Sequence, residues 1–245
     1  LRDMLSCYGS ETSWASLRHL VDKGMDAFAL ALTALCALGV GLTLFGERKG
    51  VAIMTVVGKP SASLAFIALA LHLANWDQGP DGYAWLIVVG LVFGAGGDVA
   101  LMSKAKKWFL VGLVSFLLGH IAYLVAFARL TDASDWMSPW LAGPIVAVLI
   151  VLKYLWRHLG TMRAAVLAYM VAIVLMAMAA LAVSLAKEPP LSEGAVRFVV
   201  VGALLFFASD VAVAKARFVE ARFVDRLWGL PCYYAGQLCI TWSLA

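Results

Sequence analysis

Charged residues are scarce in this chain. Only 14% of its 245 residues are Asp, Glu, Lys or Arg, whereas 63% are apolar. Soluble domains carry charge on about a quarter of their residues. The mean hydropathy of +0.90 exceeds what a single water-soluble core can bury, so the composition predicts a protein whose solvent is a lipid bilayer.

The chain also lacks the common signatures of thiol, metal and serine chemistry. Its four cysteines form no CxxC pair and no metal-ligand spacing. Of its four histidines, only His120 lies deep within an apolar run, whereas catalytic zinc takes about three protein ligands. No GxSxG elbow is present either. We therefore expect no metal and no other cofactor.

Two further patterns are excluded by their context. The glycine-rich run from Gly94 to Gly97 lacks the Lys-Ser/Thr that completes a phosphate loop, and it instead indicates close helix packing. Although the sequence pI is about 8.9, the basic residues fall in short clusters between apolar runs. Such clusters are topology signals of a membrane protein, so nucleic-acid binding is not expected.

The first 23 residues form an N-terminal extension. They carry six charges, unlike a cleavable signal peptide. Trp14, Leu17, Leu20 and Val21 share one helical face, which predicts a short interfacial helix. The remainder, residues 24–245, is expected to form a single transmembrane domain.

Eight apolar runs near the length of a membrane span follow the extension, which predicts an all-α, polytopic bundle of eight transmembrane helices. The loops after spans 1, 3, 5 and 7 hold twelve Lys and Arg residues, and the opposite side holds six. Because basic loops stay in the cytoplasm, both termini are predicted on the non-cytoplasmic side. The predicted spans are 24–45, 51–74, 83–102, 109–129, 138–155, 163–186, 195–214 and 227–245.

Polar residues inside these spans are few and come from different helices. A charge at bilayer depth costs at least about 2.5 kcal/mol, so such residues usually face a cavity and pair with one another. Most are expected in the cytoplasmic half of the bilayer, which predicts one cavity that opens toward the inner leaflet. They are Lys59, Asp98, His120, Asp210 and Gln237, with Tyr123, Tyr169, Tyr233 and Tyr234.

Each of these residues also has a structural interpretation. Asp98 and Asp210 would then pair with Lys59 or with nearby basic loop residues. Lys59-Pro60 would be a helix kink with a snorkelling lysine, and His120 a hydrogen-bonded packing residue. Tyr233 and Tyr234 would form an interfacial aromatic pair.

From the second span onward, the sequence resembles the lysoplasmalogenase family, the YhhN-like membrane proteins. The resemblance rests on short sequence motifs. Each motif is common by itself, but their order along these helices is specific to the family. They are Lys59-Pro60, Gly97-Asp98 with Leu101-Met102, Gly119-His120 with Tyr123 and Phe127, Tyr169-Met170, the run from Gly202 to Phe206 with Ser209-Asp210, and Tyr233-Tyr234 with Gln237.

The resemblance implies hydrolysis of the vinyl ether bond of lysoplasmalogens. The products would be a fatty aldehyde and glycerophosphocholine or glycerophosphoethanolamine, and the partners a lysophospholipid substrate and the bilayer. Asp98 and Asp210 are the positions it carries over as catalytic. We expect Lys59, His120, Tyr123, Tyr169, Tyr234 and Gln237 to bind substrate or support the two acids.

The chemistry agrees with these residue types. Vinyl ethers resist base but yield to acid, through protonation of the β-carbon and an oxocarbenium ion. An enzyme therefore needs a carboxyl group that keeps its proton at neutral pH and a second group that stabilises the cation and orients water. Glycosidases meet a similar demand with paired carboxylates. The sequence does not decide between Asp98 and Asp210 as the acid, and the oligomeric state stays open.

Two other functions compete. The same charges suit a proton-coupled carrier of small molecules or lipids, because intramembrane acids often serve as proton relays. Carriers, however, tend to have Gly/Pro-broken helices at the midplane, whereas spans 3 and 7 contain no proline. A non-catalytic lipid-binding scaffold is the second alternative, and it would tolerate Asp→Asn at both positions.

Overall fold

A computed structural model describes residues 26–74, 82–103, 105–187 and 190–245 of the chain. Within these ranges the protein contains helices and no strands. Eight long helices follow one another, joined by short connections. They are α1 (Ala27–Lys49), α2 (Ala52–Leu73), α3 (Tyr83–Ala100), α4 (Lys106–Ala128), α5 (Ala142–Leu155), α6 (Arg163–Leu185), α7 (Glu193–Phe218) and α8 (Phe223–Trp242).

Local signals explain several helix ends. Asp26 caps α1 by accepting a hydrogen bond from the Ala29 backbone N–H at 2.7 Å, and Gly50 ends the helix in the left-handed region with φ of 70°. Ser192 caps α7 in the same way, through the Ala195 N–H at 3.2 Å. Such caps satisfy some of the backbone groups that have no partner within the helix.

Among the described residues, seven helical segments are long and apolar enough to cross a membrane, which confirms the prediction of a multi-pass, all-helical bundle in this coarser form. The segment around α5 reaches this length only with its flanking 3₁₀ turns, as Pro139–His158. α8 is absent from the seven, and its first turn carries Asp225 and Arg226. Eight spans and the side on which the termini lie therefore stay predictions.

Helix bounds match the predicted spans to within four residues, and differences of four residues occur at the end of α1, at the start of α5 and on both sides of the connection between α7 and α8. α7 continues four residues beyond the predicted end at 214, and α8 begins four residues before the predicted start at 227. Both additions are charged: Lys215 and Arg217 in α7, Asp225 and Arg226 in α8. A hydropathy window marks the apolar part of a helix, whereas the helix itself continues into the polar region.

α8 occupies a central position in the bundle, because it packs against α7, α2, α1 and α3. Its contact with α7 is close. A Cβ atom on Gly202 would lie 2.9 Å from the Gly236 carbonyl oxygen, and a Cβ atom on Gly236 would lie 2.9 Å from the Gly202 carbonyl oxygen. Small residues at such crossings let membrane helices approach backbone to backbone. This packing turns the tyrosines of α8 toward α2 and α3.

The outer surface of the bundle is apolar. Leu38, Ile53, Leu64 and Trp85 are each more than 60% exposed, as expected for side chains that face lipid. The predicted interfacial helix in residues 1–23 lies outside the described residues.

Candidate active site

Asp98, near the end of α3, is buried among hydrogen-bond donors. Its Oδ1 atom lies 3.9 Å from Lys59 Nζ, and its Oδ2 atom accepts hydrogen bonds from Ser63 Oγ at 2.9 Å and Tyr234 OH at 3.1 Å. Asp98 and Lys59 are 3% and 4% exposed. We call Lys59, Ser63, Asp98 and Tyr234 the Asp98 cluster. All partners of this carboxyl group can donate, so the arrangement suits an ionised carboxylate.

Helix geometry explains how α2 supplies two of these donors. Lys59 and Ser63 are four residues apart, so their side chains lie on one face of the helix. Tyr234 reaches the same face from α8, where its hydroxyl is 3.2 Å from Ser63 Oγ and 3.2 Å from the Lys59 carbonyl oxygen. Lys59 is therefore buried and ion-paired, and it does not snorkel to the surface.

Asp210, in the second half of α7, has different neighbours. Its Oδ2 atom lies 3.2 Å from Nε2 of His120 in α4. Tyr169 of α6 packs edge-on against the His120 ring at 5.2 Å between centroids, and its side chain also interacts with Asp210. We call His120, Tyr169 and Asp210 the Asp210 cluster. His120 is 1% exposed, and the Asp210 side chain is 14% exposed.

Both acids line one cavity of about 530 Å³. Its walls also include Lys59, Ser209 and Tyr233, and its rim is formed by residues at the α1, α3 and α7–α8 ends. Four helices thus bring polar groups to one space. Of the residues expected there, Lys59, Asp98, Asp210 and Tyr233 line this cavity, and the side of the bilayer toward which it opens stays a prediction.

A second, narrower cavity of about 60 Å³ adjoins the first. Its walls are almost entirely apolar, with Phe207, Met170 and Ile173 among them, and Tyr169 as one of the few polar groups. Asp210 lines both cavities. The acid therefore stands where a polar chamber meets an apolar slot.

Tyr123 and Gln237 connect to the site indirectly. Tyr123 OH donates to Gln237 Oε1 at 2.6 Å, and Gln237 Nε2 donates to Tyr233 OH at 3.3 Å. Tyr233 in turn interacts with the Asp98 carboxyl group. Neither Tyr123 nor Gln237 is among the residues that line the two cavities. They form a buried relay of hydrogen bonds behind Tyr233.

The glycines of α3 make room for this relay. A Cβ atom on Gly94 would lie 2.5 Å from Gln237 Nε2 and 2.9 Å from Tyr233 OH, and one on Gly97 would lie 2.6 Å from the Phe116 ring. The prediction that this run serves helix packing beside Asp98 is confirmed.

Sequence reasoning missed several polar residues at the site, among them Ser63 and Asp225. Ser63 had an available signal, since it lies one helical turn after Lys59. Asp225 was placed in a loop, but it is 1% exposed, accepts a hydrogen bond from Lys215 Nζ at 2.7 Å and lines the cavity rim. No hydropathy pattern distinguishes a buried acid in the first turn of a helix from one in a loop.

Cations at the rim differ in their pairing. Arg222 donates to Glu220 Oε2 at 2.6 Å, which raises the pKa of its guanidinium, and Arg226 lies 3.9 Å from Glu47 Oε2. The Arg217 guanidinium instead stacks over the Phe109 ring at 4.2 Å. Phe109 lines both cavities. Arg217 is thus a cation at the mouth whose described contact is an aromatic ring.

Metal binding finds no support in the donor set: the described residues contain no group of three or more His, Cys, Asp or Glu side chains arranged to hold an ion.

Comparison with known proteins identifies the family of the chain. A model of the YhhN family matches residues 54–244, from the first turn of α2 to the end of the bundle. The chain belongs to the YhhN family. The matched range contains every residue of the Asp98 and Asp210 clusters, so the resemblance noted in the sequence is confirmed.

One curated relative carries a functional name. A Dictyostelium discoideum protein described as a lysoplasmalogenase homolog is 26% identical over 149 residues, which cover 56% of this chain and 47% of that protein. The alignment therefore spans about half the length of the relative. No solved structure gives a significant match.

Proposed function

We propose that this YhhN-family protein hydrolyses the vinyl ether bond of lysoplasmalogens. One observation carries the proposal: two carboxyl groups from different helices line a single cavity within a membrane bundle, and an apolar slot begins beside one of them. The name of the Dictyostelium relative supports the same reaction.

The two cavities fit the two halves of a lysophospholipid. The glycerophospho head group suits the chamber of about 530 Å³, whose rim carries charges of both signs. The first carbons of the alkenyl chain suit the apolar slot, because burying each CH₂ group contributes about 0.8 kcal/mol. A substrate bound in this way places its vinyl ether next to Asp210, where chamber and slot meet.

The reaction then needs opposite protonation states in the two acids. One carboxyl group gives its proton to the β-carbon of the vinyl ether, and the π electrons form the new C–H bond. The other, as a carboxylate, stabilises the oxocarbenium ion that results. Water adds to the cation and loses a proton, and the hemiacetal collapses to a fatty aldehyde and a glycerol hydroxyl. Each acid–base role is worth about 10²–10⁴ in rate.

Cations near the cavity would bind the substrate phosphate. Lys59 is engaged by Asp98, Arg222 by Glu220 and Arg226 by Glu47. Arg217 has no carboxylate among its described contacts and stands at the mouth, so we assign it to the phosphate. We also propose that the mouth faces the cytoplasmic half of the bilayer, because the loops at this end carry the basic excess.

The test is aldehyde release by purified protein in detergent. Alkenyl lysophosphatidylethanolamine is the substrate, and acyl lysophosphatidylethanolamine is the matched control, which differs only in the bond at the first glycerol carbon. Aldehyde from the alkenyl lipid alone would support the proposal. If folded protein released none, the proposal would fail, and proton-coupled uptake into vesicles would become the next assay.

A further inference from the structure

The Asp210 cluster fixes the position of a hydrogen on His120. His120 Nδ1 lies 2.7 Å from the backbone oxygen of Phe116. A carbonyl oxygen only accepts hydrogen bonds, so Nδ1 must carry a hydrogen and donate it. In a neutral imidazole of this tautomer, Nε2 has a lone pair and no hydrogen. Nε2 is the atom that faces Asp210 Oδ2 at 3.2 Å.

A second proton must lie between these two atoms. Nε2 and Oδ2 are both buried, and neither has a well-aligned hydrogen-bond partner among the described residues. A lone pair and a carboxylate oxygen held this close without a proton would be left unsatisfied, at a cost of about 1–3 kcal/mol or more.

The surroundings of His120 favour keeping this proton on Asp210. The imidazole ring packs edge-on against Phe206 at 4.5 Å and Tyr169 at 5.2 Å between centroids. Separating charge into an imidazolium and a carboxylate is costly among aromatic rings, whereas a neutral carboxyl group that donates to a neutral imidazole carries no such penalty.

We propose that Asp210 is the general acid of the vinyl ether reaction and that His120 is the positioning residue that holds its proton. This inference rests on the proposed function and assigns the acid role within it. Asp98 is then the carboxylate. Ser63 and Tyr234 donate hydrogen bonds to it, and the Lys59 ammonium group faces it with a positive charge.

The proton transfer is balanced within the site. The Asp210 carboxyl group, which His120 and Tyr169 face from α4 and α6, turns from His120 toward the cavity that it lines. Its O–H bond breaks as the β-carbon gains the proton, and Asp98 faces the oxocarbenium ion. The water that adds to the cation returns a proton to Asp210, so the acid is restored after each turnover.

Spectroscopy tests the inference without relying on activity. In ¹⁵N-histidine NMR, the signal that His120→Gln removes is expected to be that of a neutral ring protonated at Nδ1. In infrared difference spectra, the carbonyl band of an un-ionised carboxyl group should disappear in Asp210→Asn and persist in Asp98→Asn. The comparison of the two Asp variants holds even if His120 variants fold poorly.

Kinetics supplies a second readout. His120→Asn keeps an amide near Phe116 but loses the contact with Asp210, whereas the side-chain oxygen of His120→Gln can still accept a hydrogen bond from the Asp210 carboxyl group. His120→Asn should lower kcat by about 10²-fold and His120→Gln by less, both with little change in KM, because His120 lines neither cavity. The matched control is His72→Gln, which removes a histidine paired with Asp26.

The outcomes separate the two proposals. Aldehyde release by the wild type, together with a carboxyl band lost only in Asp210→Asn, supports both. Aldehyde release with the band lost only in Asp98→Asn, or with an imidazolium at His120, overturns the assignment of the acid and leaves the enzyme activity standing. Folded wild-type protein that releases no aldehyde overturns the proposed function and the acid role with it.

Discussion

Asp98 and Asp210 line the same cavity but differ in what surrounds them. Asp98 has an ammonium group at 3.9 Å and two hydroxyl donors, whereas Asp210 faces an imidazole nitrogen whose partner nitrogen already donates elsewhere. We propose that these surroundings prepare identical side chains for opposite charge states. The same separation of two carboxyl groups by their environments assigns acid and base roles in glycosidases.

The largest effect is expected from neutralising either acid. Asp98→Asn and Asp210→Asn should each insert into the membrane and lower the rate of aldehyde release by at least about 10²-fold, the scale of one acid–base role. The measurement is kcat of purified variants, with circular dichroism to confirm helical content. Full activity in both variants would remove the basis for comparing the two clusters.

The next largest effect is expected on the stability of the protein, through the buried ion pair of the Asp98 cluster. Lys59→Met leaves a buried carboxylate without its countercharge and should lower the free energy of unfolding by about 3–5 kcal/mol. Combining it with Asp98→Asn removes both charges and should restore most of that loss. Denaturation midpoints in one detergent provide the measurement.

The control for this pair is Lys153→Met, which removes a basic residue from the last turn of α5. We expect little change there. A double variant as unstable as Lys59→Met alone would show that the Lys59 side chain acts by packing rather than by charge.

A smaller loss of stability is expected when the packing around Gln237 and Tyr233, next to the Asp98 cluster, is disturbed. Gly94→Ala would push a methyl group against Gln237 and Tyr233 and should cost about 1–3 kcal/mol of stability, with a lowered kcat. Gly41→Ala is the matched control, because nothing lies within 4 Å of a Cβ atom there. Equal melting temperatures for the two variants would mean that the relay behind Tyr233 adapts without loss.

The smallest effect concerns the shared mouth of the cavity. Arg217→Gln should raise KM roughly two- to fivefold and leave kcat nearly unchanged, since an exposed charge contact contributes up to about 1 kcal/mol. Arg157→Gln, another basic residue of the same chain that lines neither cavity, should leave KM unchanged. An unchanged KM in Arg217→Gln would contradict this role of Arg217 and would mean that another cation binds the substrate phosphate.

Hydropathy predicts the helices of this bundle but not the rotation of each helix about its axis. Every long helix was placed to within a few residues, because a bilayer demands long apolar runs. The same uniform apolarity removes the amphipathic stripe that would show which face is buried. Lys59 and Ser63 could be placed on one face by spacing alone, but the approach of His120 to Asp210 depends on α4, α6 and α7 packing together.

The two acids themselves were predictable, because a charge inside an apolar run needs a reason. Their different surroundings were not. Lys59, the partner of Asp98, can be recognised because it is a charged residue inside an apolar run. The burial of Asp225 cannot be recognised in this way, because it depends on where α8 begins and the sequence around that position is polar.

The most direct test of the central claim follows the proton into the product. Wild-type protein would cleave alkenyl lysophosphatidylethanolamine in D₂O, with the aldehyde reduced at once by borohydride and analysed by mass spectrometry and NMR. Proton transfer from an enzyme acid predicts one deuterium on the carbon next to the former carbonyl, in a single configuration. A label of mixed configuration would mean that the carbon is protonated in bulk water, which would contradict an acid held in this cavity.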